Sequence, residues 1–168
     1  MEVPLRLILL LALAAMGEAG WAADATFTSL WLYHGSWKVT RTTAGAGTKR
    51  DELVNQCALV GKYFTCQQTI NGQQGNLFVV VAASTPGHFY TQNITPEGRA
   101  TGRASLEISG SKWVFTSTWD QGGTTTYYRT TNLFTGQNKI HFEQEESSDG
   151  KDYKVTGSGD EVKVGAAH

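Results

Sequence analysis

The sequence predicts an all-β protein, an antiparallel up-and-down barrel of about ten strands entered through a short N-terminal helix. Three observations predict it. From Gly35 onward, turn-forming clusters recur at short intervals, among them Gly61-Lys62, Asn71-Gly72, Pro86-Gly87, Ser109-Gly110, Gly122-Gly123 and Ser148-Asp149-Gly150. The stretches between them are rich in Val, Phe, Tyr, Trp and Thr and carry no helical period. The loops are uniformly short, so each strand pairs with its neighbour in sequence, and closing a sheet of that many strands removes its exposed edges.

Composition bounds the function classes. With 168 residues and a net charge of -1, the chain suits one globular domain. Nucleic acid is excluded as a partner, because Lys49-Arg50 and Arg99 with Arg103 are too sparse to release counterions from a phosphate backbone.

At the N-terminus, Arg6 precedes an apolar run over residues 7–16 that is too short to span a bilayer. Small residues follow in Gly20-Trp21-Ala22 and Ala23-Asp24-Ala25. Residues 1–25 therefore read as a signal peptide cleaved after Ala22 or Ala25, residues 26–164 as the barrel domain, and residues 165–168 as a disordered tail. The expected location is secreted or periplasmic, with no membrane span after processing. Residues 27–34 are the one stretch compatible with a helix.

The two cysteines act as a ruler for the first hairpins. If Gly61-Lys62 is a two-residue turn with Gly first, Val60 opposes Tyr63, Leu59 opposes Phe64 and Cys57 opposes Cys66. Counting outward makes the cysteines a non-hydrogen-bonded pair with Cα atoms about 4.5 Å apart, within disulfide reach. A structural disulfide is the expectation. A redox role has neither a Cys-x-x-Cys motif nor a helix N-terminus to support it.

Further along, a four-residue loop over Thr135-Gly136-Gln137-Asn138 would place Leu133 opposite Ile140 and Thr131 opposite Phe142, with Arg129 and Tyr127 on the same face. Trp113, Phe115 and Trp119 join that face if Gln121-Gly122-Gly123 is a three-residue loop. The expected ligand-facing set is Trp113, Phe115, Trp119, Tyr127, Arg129 and Phe142, aromatic with one guanidinium as a polar anchor. A simple packed core is the bland alternative, since aromatics at strand spacing also fill small barrels.

Gly35-Ser36-Trp37 at the entry to the first strand, with Trp113-x-Phe115, Tyr128-Arg129, Phe134-x-Gly136 and Ser148-Asp149-Gly150 downstream, resembles a bacterial exported lipocalin-like (calycin-type) barrel family of uncharacterised function. The resemblance covers roughly residues 30–164. It implies that Gly35 and Trp37 are a structural signature, and that a basic side chain, Arg129 or Lys163, packs over the Trp37 ring and closes one end.

Chemistry beyond binding finds little support. His34, His88, His141 and His168 sit on separate elements without metal-ligand spacing, so no metal and no cofactor is expected. Haem ligation would fall to His88, and a barrel enzyme would use His88 with Tyr90 as acid and base. Glu143, Glu145, Glu146, Asp149 and Asp152 read as a solvated acidic edge with an ordinary Asp149-Gly150 turn. No Gly-x-Ser-x-Gly elbow occurs. Asn93-Ile94-Thr95 fits a glycosylation acceptor but is expected to be unused, with Pro96 following.

The leading expectation is a monomeric, non-catalytic barrel that binds a small, mostly apolar molecule. The competing one is an interaction protein, an inhibitor or envelope partner, that needs no cavity and uses loop tips at residues 71–75 or 96–98.

Overall fold

A computed structural model describes residues 25–167. Apart from Ala25, the predicted signal peptide and its first cleavage site lie outside the described residues, as does His168. A 3-10 helix (Ala25–Tyr33) leads into ten strands. These are β1 (Gly35–Thr43), β2 (Gly47–Val60), β3 (Tyr63–Ile70), β4 (Gln73–Ala82) and β5 (His88–Ile94), then β6 (Ala104–Ser109), β7 (Lys112–Gln121), β8 (Thr124–Thr135), β9 (Lys139–Ser147) and β10 (Lys154–Gly165). Every strand pairs antiparallel with its sequence neighbours, and β1 pairs with β10, so the sheet closes into an up-and-down barrel. β10 extends to Gly165, and the Ala166 carbonyl accepts a hydrogen bond from Ser36 Oγ at 2.8 Å, so the first two residues of the predicted tail are tied to the barrel. Among the described residues no helix is long and apolar enough to cross a membrane.

The β2–β3 hairpin has the predicted register. Val60 opposes Tyr63, Leu59 opposes Phe64, and Cys57 opposes Cys66 with Cα atoms 4.0 Å apart and a disulfide between them. The β8 register corrects the expectation twice. Gln121 pairs with Thr124, leaving a two-residue Gly122-Gly123 turn in which φ is 60° and 81°. Positive φ at both central positions is what a type I′ turn demands, and Gly-Gly meets that demand without steric cost. At the other end Thr135 stays paired with Lys139, so the β8–β9 loop has three residues and Phe134, not Leu133, opposes Ile140. Each loop is one residue shorter than expected. The two shifts invert β8 alone: Trp113, Phe115, Ile140 and Phe142 face inward as expected, whereas Tyr127, Arg129 and Leu133 face outward, Leu133 being 47% exposed.

The helix plugs one end of the barrel. Its Phe27 and Leu30 are buried, with Phe27 stacked on Phe64 and tilted against Phe89. Tyr33 packs edge-on to Trp113 at 4.9 Å, and Trp113 meets Phe134 at 4.4 Å. Such clusters contribute both apolar burial and favourable ring geometry. Trp37 is buried beside them and its indole N–H donates to the Tyr33 carbonyl at 3.0 Å. The cation over the Trp37 ring is Lys163, 4.8 Å from the centroid, and its ammonium donates to the Leu32 carbonyl at 2.9 Å. Gly35 makes room for that crossing: φ is 135°, and a Cβ there would meet the Gly165 carbonyl oxygen at 2.8 Å and Lys163 Cε at 3.2 Å. The signature is thus a junction between the first strand, the last strand and the helix.

Candidate functional site: a polar cavity above the aromatic plug

Above the plug the inward side chains change character. Alternation along β2 and β3, read from the disulfide, carries Asn55, Leu53 and Asp51 inward on one strand and Gln68 inward on the other. Asn76 and Phe78 on β4, Thr91 and Asn93 on β5, Phe115 on β7, Thr130 on β8 and Gln144 on β9 complete the ring. They enclose a cavity of about 370 Å³ whose floor is Tyr33 and whose β10 wall is Glu161. A second lobe of about 210 Å³ adds Val39, Arg41, Asp51 and Phe142, and shares Leu53, Thr130, Gln144 and Glu161 with the first. Toward the open end Asn93 and Ala104 are shared with a groove along Ser117, Trp119 and Tyr128.

The carboxylates define the electrostatics. Asp51 is buried and fully engaged: Asn71 Nδ2 donates to it at 2.8 Å, Lys49 Nζ lies at 3.2 Å and Arg41 at 3.4 Å. The Asn71 hydrogen bond, helped by the two cations, holds its carboxyl below the usual range. Asn71 is itself locked, with φ 51° and its side chain accepting the Glu52 N–H. Glu161 is the opposite case. Its carboxyl has no hydrogen-bond or ion-pair partner among the described residues, and burial pushes its pKa up to about 7 against a weaker opposing pull from Arg41. The Tyr33 phenol accepts a hydrogen bond from Asn132 at 2.6 Å, and burial, reinforced by Glu161, raises its pKa.

The expected ligand-facing residues separate by geometry. Phe115 lines the main cavity, Phe142 lines the second lobe, and Trp113 is wholly enclosed within the plug. Trp119 stands at the rim, 55% exposed. Tyr127 and Arg129 are corrections, for the inverted β8 register puts both on the outer surface. There Arg129 makes a bidentate pair with Glu145, at 2.6 and 2.8 Å, and lies 4.0 Å from the Tyr153 ring centroid. It therefore neither anchors a ligand in the barrel nor covers Trp37. His88 and Tyr90 are exposed on the outer face, Tyr90 beneath Arg103, so the predicted acid–base pair and haem ligand do not reach the cavity. Asn93 of the glycosylation sequon faces the cavity instead. Asp149 is an ordinary turn residue, its pKa lowered to about 2 by the backbone N–H groups of Asp152 and Lys151 and by the Ser147 hydroxyl.

Asp51 and Glu161 were not among the predicted site residues. Stepping back by twos from the paired cysteines reaches Asp51 on the disulfide face, a signal present in the sequence. Glu161 is masked by hydropathy, since Glu161-Val162-Lys163-Val164 invites the valines inward. In the barrel Val162 and Val164 are exposed while Lys163 turns onto Trp37 and Glu161 into the cavity.

The sequence matches no protein-family model and no curated protein. Solved structures do resemble the fold. Rv2717c from M. tuberculosis superposes with a TM-score of 0.52 at 12% identity, over 83% of this chain and 98% of that one. The S-type phycobiliprotein lyase CPES from Guillardia theta gives 0.52 at 8% identity, over 83% and 93%. The likeness to both runs over most of each chain and is one of fold.

Proposed function

We propose that this chain is an exported, monomeric, non-catalytic binding protein of the lipocalin-like type that holds a small molecule inside its barrel. One observation carries the reading: above a sealed aromatic floor the interior is left open, as a cavity of about 370 Å³ with convergent polar groups. A barrel without a binding role fills such space with side chains. The wall is mixed, Phe78, Phe115 and Leu53 against a belt of amides and hydroxyls, so the proposed ligand is amphipathic rather than mostly apolar. The disulfide fits a secreted or periplasmic location. The loop tips at residues 71–75 and 96–98 both lie at the open end, beside the mouth, which suits them to gating or partner contacts around a filled cavity.

Native mass spectrometry of the protein taken from its own host's exported fraction tests the reading. A co-purifying small molecule, lost on denaturation and depleted in Phe115→Ala, is the expected result. A clean apo mass together with no saturable uptake of any amphipathic probe would reject it.

A further inference from the structure

Resting on the cavity as the binding site, we infer that its ligand carries a cationic nitrogen on an apolar body and that Glu161 is the counter-ion. Among the described residues the other charges that point into the barrel are already matched. Asp51 on β2 is held by Asn71, Lys49 and Arg41, and Lys163, next along the inward face of β10, is committed to the Leu32 carbonyl and the Trp37 ring. Among the described residues Glu161 is the charged side chain that faces the cavity without a hydrogen-bond or ion-pair partner.

The groups that face Glu161 from the packed elements are Tyr33 from the helix, Arg41 from β1 and Asp51 from β2, with neutral Gln144 from β9. Arg41 is the cation that acts on Glu161, but it is shared with Asp51 and is partly solvated, its side chain 42% exposed. It leaves the Glu161 carboxyl with a pKa near 7. An incoming cation supplies the missing counter-charge, a neutral molecule leaves the carboxylate uncompensated, and an anion adds a second like charge to a poorly solvated space. Phe78 and Phe115, on the wall away from β10, offer ring surface for the apolar body of the same ligand.

Three probes with one ring system and different charge separate the possibilities by titration calorimetry on the folded, oxidised protein: tryptamine, tryptophol and indole-3-propionate. At about pH 8 tryptamine is expected to bind about tenfold or more tightly than tryptophol, with indole-3-propionate weakest. Tryptamine stays protonated down to about pH 5.5 while the Glu161 carboxyl takes up its proton, so the preference falls by about tenfold between those pH values. Glu161→Gln is expected to remove the preference of tryptamine over tryptophol. Equal or tighter binding of tryptophol or indole-3-propionate by the wild type overturns the charge assignment while leaving the cavity as a binding site. Survival of the tryptamine preference in Glu161→Gln also overturns it. Failure of all three probes at both pH values overturns the assignment together with the cavity reading. The charge preference and its pH dependence need no variant, so a misfolded Glu161→Gln does not rescue the idea.

Discussion

At the plugged end of the barrel Phe27 stacks on Phe64, Tyr33 packs against Trp113 and Phe134, and Leu30 is wholly buried with them; higher in the barrel, amides and an unpartnered carboxylate surround open space. The same fold therefore carries a region that maximises burial and one that forgoes it. Close packing below is what makes looseness above tolerable, because net stability is a small difference between large terms and one dense layer supplies much of the favourable side. The comparison teaches that dense packing and open space are divided along the barrel axis rather than mixed through it.

The sharpest way to break that division is to cut into the plug. Phe64→Ala removes a fully buried ring and is expected to cost about 3 to 5 kcal/mol in urea unfolding, without altering charge preference at the cavity in whatever fraction stays folded. If probe selectivity changed as well, the two layers would not be independent. Opening the disulfide comes next. Cys57→Ala with Cys66→Ala releases a loop with a sequence separation of 9, for which chain entropy gives about 2 to 3 kcal/mol, read from chemical denaturation.

In the upper layer the sign reverses. Glu161 has its pKa raised in the folded state, so its contribution favours folding below about pH 4.5 and is lost as pH rises through about 7. Glu161→Gln is accordingly expected to stabilise the empty barrel by about 2 kcal/mol at pH 8 and to change little at pH 4, as followed by thermal melts across that range. An unchanged melt at pH 8 would mean that the carboxylate is better solvated than its surroundings suggest. The smallest effect belongs outside the barrel. Arg129→Ala breaks the part-buried bidentate pair with Glu145 and should cost about 1 kcal/mol, with no change in probe affinity. A large loss of uptake in that variant would restore Arg129 to the binding site.

The plug was more legible in the sequence than the cavity. Trp113, Ile140 and the paired cysteines announce themselves through apolar strand periods and one two-residue turn, because core positions obey hydropathy, while Gly35 and Trp37 stand out through a family resemblance. Arg129 and Tyr127 were misplaced because strand facing depends on loop parity, and the loops on both sides of β8 are each one residue shorter than the neighbouring residues suggested. The errors cancelled at β9, which is why Ile140 and Phe142 kept their places. The cavity wall resisted reading for a different reason. A polar residue facing a polar cavity looks, one strand at a time, like a polar residue facing water. Asn55, Gln68 and Gln144 share faces with Cys57, Cys66 and Phe142, but alternation alone does not tell whether those faces enclose space or meet water at that height.

The pairing of β1 with β10 brings residues 36–43 against residues 157–165, the greatest sequence separation among the strand pairs. The Cys57–Cys66 hairpin is local and can form while the rest of the chain is still unstructured, but the seam cannot close before the last strand arrives. Val39 and Arg41 line one side of that seam and Glu161 the other, so the cavity exists only once the seam has closed. A ligand that requires both sides binds only the closed form and draws the population toward it by mass action, acting as a clasp on the two ends of the chain.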